Sequence, residues 1–204
     1  MLVTPLILAL IYLNLATFSF ARLGLSPEAA LMVLVASLVG GMINIPLSSE
    51  RVVVQQLPRG IMRFFYYYMP PVVRQRVLAI NVGGAIILLA LSAYLAPRAP
   101  LLQTLVTIVV VAAVCKALAR VTPGVGVTLP AFVPPLLSAA IAMLLASGQA
   151  APVAYIGGTV GTLIGADLLN LPAVRRMPAL MLSIGGAGVF DGVFLVGVIA
   201  ALIA

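Results

Sequence analysis

The sequence predicts an all-α membrane protein, one polytopic domain over residues 1–204 with about seven transmembrane helices. Three observations predict it. Hydrophobic residues make up 64% of the chain and charged residues only 7%, with a mean hydropathy of +1.28, which leaves too little polar surface for a soluble domain of this length. Apolar runs of roughly 20 residues, long enough to cross a bilayer, recur from one end to the other. The basic residues gather mostly in the connections between those runs, unequally on alternate sides.

Taken in order, the predicted spans are 2–21, 29–47, 77–96, 101–119, 131–148, 151–170 and 178–204. The first is as long as a spanning helix and lacks a basic region ahead of it, so it reads as a span and not as a cleaved signal. Arg22–Glu28 ends it. The second span is followed by the long polar stretch Ser48–Arg76, and the third is closed by Pro97–Pro100. Arg120–Pro130, rich in Gly and Pro, separates the fourth from the fifth; a Ser-Gly-Gln turn at 147–149 and the basic turn Leu171–Met177 bound the sixth. No internal repeat of the kind that marks inverted-repeat transporters is visible.

Loop charge sets the orientation. With the N-terminus in the cytoplasm, nine of the 11 basic residues fall on the cytoplasmic side: Arg51, Arg59, Arg63, Arg74, Arg76, Lys116, Arg120, Arg175 and Arg176. Arg22 and Arg98 fall on the other, so the chain is expected N-in, C-out, as a multi-pass protein of a prokaryotic cytoplasmic membrane. The net charge of +7 therefore speaks for anionic headgroups and not for nucleic acid. The lone cysteine, Cys115, sits mid-helix as an inert thiol, and with no histidine present neither a metal site nor a cofactor is expected. The cytoplasmic segment 48–76 has two readings. Its Arg63-Phe-Phe-Tyr-Tyr-Tyr68 run suits an interfacial anchor, while its β-branched and aromatic residues could pair as a short hairpin that receives an extended peptide.

Asp167 and Asp191 are the only carboxylates inside the apolar segments. A carboxylate in a bilayer costs roughly 2.5–3.5 kcal/mol on insertion scales, so it ordinarily faces a partner or a wet cavity. The predicted topology collects further polar residues on the same side: Asn44 at the end of the second span, Asn81 opening the third, Pro130 in the fourth connection and Asn170 just after Asp167. In a continuous last helix Asp191 would lie about 20 Å deep and the two acids could not meet. The glycines Gly185, Gly186 and Gly188 predict a break instead, with Ala179–Ile184 extended or irregular and a final helix starting near Gly188. Asp191 would then occupy the first helical turn, at the depth of Asp167. Two carboxylates in that position share one proton: one can deprotonate a water while the other polarises a peptide carbonyl.

At Ala166-Asp167-Leu-Leu and Gly186-Ala-Gly188-Val-Phe-Asp191 the chain resembles the presenilin and signal peptide peptidase families of intramembrane aspartyl proteases. These carry one aspartate near a helix end and the other after a Gly-x-Gly motif. The resemblance covers about residues 150–204 and implies Asp167 and Asp191 as the catalytic pair, with a transmembrane peptide as substrate. Gly186 and Gly188 would leave room for its backbone, Asn44, Asn81 and Asn170 would orient acids or water, and Pro130 would shape one wall. The whole chain also resembles an uncharacterised family of prokaryotic membrane proteins, through Asn44-Ile-Pro, Asn81-Val-Gly-Gly and Gly165-Ala-Asp-Leu-Leu-Asn-Leu171. Two other functions fit the same residues: a proton- or cation-coupled transporter using the two acids, and a non-catalytic membrane assembly or lipid-binding protein. Gly157, Gly158, Gly161 and Gly165 fall at helix-packing intervals. The sequence does not fix an oligomeric state.

Overall fold

In the computed structural model the described residues are 14, 18–54, 72–122, 126–175, 181–186, 195, 196 and 199. The chain is mainly helical, with two small β-sheets. Helix α1 spans Pro27–Gly40 and starts where sequence alone would start it: Ser26 Oγ accepts from Ala29 N (3.2 Å), Pro27 occupies the first turn and Glu28 faces the positive end of the helix dipole. Strands β1, Asn44–Val54, and β2, Val72–Asn81, form an antiparallel hairpin. Helix α2, Val82–Arg98, opens with a π turn and closes with a 3₁₀ turn through Pro97. Helix α3 is Leu101–Leu118; β3, Arg120–Thr122, and β4, Gly126–Thr128, pair as a second small hairpin. Helix α4, Val133–Leu145, is followed by the long α5, Ala150–Val174, and by strand β5, Met181–Ile184.

This differs from the all-α, seven-span expectation in definite places. Among the described residues, α3 and α5 are long and apolar enough to cross a membrane, the other apolar helices are shorter, and a seven-span topology is not seen. The predicted span 29–47 ends as a helix at Gly40, and 77–96 becomes helical only at Val82, because residues 44–54 and 72–81 pair with each other instead. A run-length rule counts apolar residues and cannot tell a helix from a strand when the run is buried. The hairpin reading of 48–76 therefore holds at both ends. The aromatic run Arg63–Tyr68 lies outside the described residues. Most of 2–21 and of 178–204 lies outside them too, as do Gly188 and Asp191. Of the stretch expected to be extended before the glycines, Met181–Ile184 is strand β5, followed by Gly185 with a φ of +68°; Ala179 and Leu180 lie outside the described residues.

The three-stranded sheet has the order β1-β2-β5, with β5 parallel to β2 in the register Val77↔Met181 through Ile80↔Ile184. Pro46 sits in edge strand β1, at a register shift between Pro46 and Ser48, a position where a missing N–H leaves no gap in a central ladder.

Helix α5 is the pivot of the helical layer. A Cβ at Gly157 would fall 2.3 Å from Thr107 Cγ2, one at Gly161 2.8 Å from Val111 Cβ, and one at Gly165 2.3 Å from Ala112 O. The glycine spacing thus seats α5 directly on α3, while Gly158 faces Ser138 of α4. Phe20 meets Tyr155 edge-on, centroids 6.2 Å apart, in a core shared with Leu34, Leu91 and Leu95. Outward-facing aliphatics are plentiful: Leu101 is 74% exposed, Leu102 71% and Val109 66%.

Candidate functional site

Asp167 stands at the end of a π turn, Leu163–Asp167, inside α5. One extra residue per turn re-aims everything after it. Its side chain is 6% exposed, and Oδ2 accepts a 2.6 Å hydrogen bond from the backbone N–H of Gly185, at the turn that ends β5. Gly185 needs to be glycine on two grounds: its φ is positive, and a Cβ there would lie 2.8 Å from the Gly84 carbonyl and from Ala85 Cβ. The acid on α5 is thereby joined through the β5 turn to the first turn of α2.

A second polar group lies where β1 and β2 begin and end. Asn44 and Asn81 are cross-strand partners. Asn81 Oδ1 caps α2 by accepting from Gly84 N (2.7 Å), and its Nδ2 donates to Gly41 O (2.8 Å) and to Asn44 Oδ1 (3.2 Å). Ser183 Oγ, from β5, donates to the same Asn44 oxygen at 2.5 Å. Gly84 is thus capped by Asn81 on one side and packed against Gly185 on the other. Two predicted residues, Asn44 and Asn81, meet directly; Asp167 joins them only through backbone.

Asn170 has a different task. Its Nδ2 donates to Gly165 O (3.0 Å) and Ala166 O (2.9 Å), carbonyls released where the helical ladder changes pitch. Its Oδ1 accepts from Lys116 Nζ at 2.6 Å, and Lys116 also donates to Leu169 O at 2.7 Å. Asn170 supports the turn that holds Asp167, and among the described residues it makes no bond to the acid. Gly186 follows the turn, where a Cβ would come 3.1 Å from Ser183 Cβ and O. Pro130 is exposed on the rim of an open groove with Ala117, Leu118, Arg120, Thr128 and Leu129. Its link still touches the site, since Val127 packs with Leu163, Ala166 and Leu182 in one buried cluster.

Sequence reasoning missed Ser183, Gly185 as donor, and Lys116. Ser183 is the lone hydroxyl in an otherwise apolar stretch, which was a readable signal; Lys116 was absorbed into the loop-charge count. The hairpin is also tied to the end of α5, where Glu50 Oε1 and Arg175 Nη1 lie 3.9 Å apart and Arg76 donates to Arg175 O. No group of three or more histidine, cysteine or acidic residues that could hold a metal ion occurs among the described residues. Chemically, the arrangement offers a buried carboxylate fixed by one backbone N–H, beside the end of a strand at the sheet edge.

Searches of curated proteins and of solved structures each found no match. The profile of DUF1614, described as a protein of unknown function, matches residues 38–203, and nothing in these comparisons links the chain to presenilin-like proteases. That stretch holds the hairpin, the α3–α5 layer, Asp167 and the β5 turn, and it covers most of the chain: the protein belongs to the DUF1614 family.

Proposed function

We propose that the protein is an integral, multi-pass protein of a prokaryotic cytoplasmic membrane and that it cleaves peptide bonds of membrane-embedded polypeptides with Asp167 and Asp191 as a proton-sharing pair. The membrane part draws support from α3 and α5, from the exposed aliphatics of α3, and from the nine-to-two division of basic residues. The observation that carries the catalytic part is the Asp167 carboxylate, buried and fixed by Gly185 N–H at the end of an edge strand. Asp191 follows Gly185 by six residues, at most about 20 Å of chain, a length that allows the second acid to reach Asp167. In the reaction one carboxylate takes a proton from water while the other, protonated, polarises the scissile carbonyl. The hydroxide adds to that carbon, and the proton passes to the departing amine as the C–N bond breaks.

The test is cleavage of a tagged transmembrane peptide by the protein in liposomes. Asp167→Asn keeps an oxygen for the Gly185 amide but has no acid–base chemistry, so it separates catalysis from support. Turnover should fall by about 10²-fold or more in Asp167→Asn and in Asp191→Asn, with helical content unchanged. Cleavage persisting in either variant rejects the reading.

A second reading, proton-coupled transport through Asp167, is favoured by α5 itself. Tyr155, Thr159, Thr162 and Asp167 recur at four, three and five residues, a spacing that the π turn keeps on one side of the helix. The buried hydroxyls of Tyr155 and Thr159 neighbour each other and meet no other hydrogen-bonding group among the described residues, which suits them to a line of waters toward the acid. Proton uptake into liposomes that Asp167→Asn abolishes, with no peptide cleavage by the wild type, would select this reading over the first.

A further inference from the structure

The β3–β4 hairpin has a feature that neither acid explains. Between it and the end of α3 lies an open groove of about 500 Å³, lined by Ala117, Leu118, Arg120, Thr128, Leu129 and Pro130. Its walls are apolar except at Arg120 and Thr128. Arg120 and Thr128 are ladder partners, and Thr128 Oγ1 also donates to Arg120 O (3.2 Å), so the backbone that carries the guanidinium is fixed twice. Arg120 follows the last residue of α3, Leu118, by two positions, which sets it where an apolar span of 18 residues reaches the headgroup layer. One helical turn earlier, Lys116 Nζ bonds two neutral oxygens, Leu169 O and Asn170 Oδ1. Lys116 is thereby turned to α5, whereas Arg120, exposed on the groove, faces no carboxylate among the described residues. A cationic rim above an aliphatic trough is the complement of a phosphodiester joined to a glycerol and acyl chains.

We infer that this groove binds the headgroup of an anionic glycerophospholipid, its phosphate on Arg120 and its glycerol and first acyl carbons against Leu118, Leu129 and Pro130. The side is the one on which the loop charges gather and where an anionic leaflet would lie. Ala117 of the groove follows Lys116, which holds Leu169 and Asn170 at the turn after Asp167, so the groove adjoins the support of the acid along α3. The inference rests on the membrane reading and is independent of the peptidase one.

The experiment counts lipids retained by the detergent-purified full chain, by native mass spectrometry, during titration with phosphatidylglycerol or phosphatidylcholine. Phosphatidylglycerol should be retained preferentially, and Arg120→Gln should weaken that retention about fivefold to tenfold. Leu118→Glu, at an exposed wall position, should do the same by placing a like charge against the phosphate. Arg51→Gln removes equal charge from the exposed face of β1 and should leave retention unchanged. No preference for phosphatidylglycerol, an equal loss in Arg51→Gln, or displacement of the lipid by inorganic phosphate at equal concentration would overturn the site. Recovery of the chain in the soluble fraction would remove the membrane reading and this inference together, whatever the peptidase assay gives.

Discussion

Asp167 and Gly185 illustrate how one hydrogen bond can be both support and site. The 2.6 Å bond satisfies a buried backbone donor, and it fixes an acid that would be costly to leave unpartnered in apolar surroundings. Asp167→Ala leaves that N–H without its acceptor and should destabilise the fold by about 1–3 kcal/mol, whereas Asp167→Asn should cost distinctly less; thermal unfolding in detergent compares the two. Gly185→Ala should be destabilising by about 1–3 kcal/mol through its backbone conformation alone, with the contact to Gly84 and Ala85 in addition. The sequence singled out Asp167, Asn44 and Asn81 because polar groups are scarce in such a chain, and scarcity is legible. What it could not show is which oxygen meets which nitrogen. Asn170 was assigned to acid or water and instead satisfies Gly165 and Ala166, because a π turn creates an acceptor demand that composition does not reveal.

At the scale of elements, helices held by local rules were legible and strands held by distant partners were not. Helix α3 occupies Leu101–Leu118 against an expected 101–119, and the glycine spacing of α5 predicted a close helix approach, which the structure shows to be with α3. The extended stretch before Gly185 was also foreseen, from the local cost of clustered glycines. The outer ends of β1 and β2 were hidden inside the apolar runs 29–47 and 77–96, and the pairing of β2 with β5, a hundred residues away, is a term that no run-length rule contains. The parallel register can be checked directly. In a Cys115→Ala background, Val77→Cys with Met181→Cys should oxidise to a disulfide, because the two positions are paired across the ladder, whereas Gln75→Cys with Met181→Cys should not. Crosslinking of both pairs alike would mean that β5 slides on β2 and does not hold the turn at Asp167.

For the whole molecule, composition and charge asymmetry gave a direction that two apolar helices alone do not. Ser49→Cys, on the hairpin, and Gln149→Cys, between α4 and α5, should be labelled by a membrane-impermeant thiol reagent from opposite sides in oriented vesicles; labelling of both from one side contradicts the predicted orientation. Peptide cleavage by the acid pair requires, however, that the chain after β5 bring its second acid back to α5. The most direct measurement replaces both acids, Asp167→Cys with Asp191→Cys in the Cys115→Ala background, and asks whether an oxidant or a short bifunctional thiol reagent joins them. Efficient joining is expected in the folded protein, above that of Asp167→Cys with Phe194→Cys. Absence of any crosslink while helical content and unfolding temperature stay near those of the parent would contradict it, leaving Asp167 as the clamp of the β5 turn and not half of a catalytic pair.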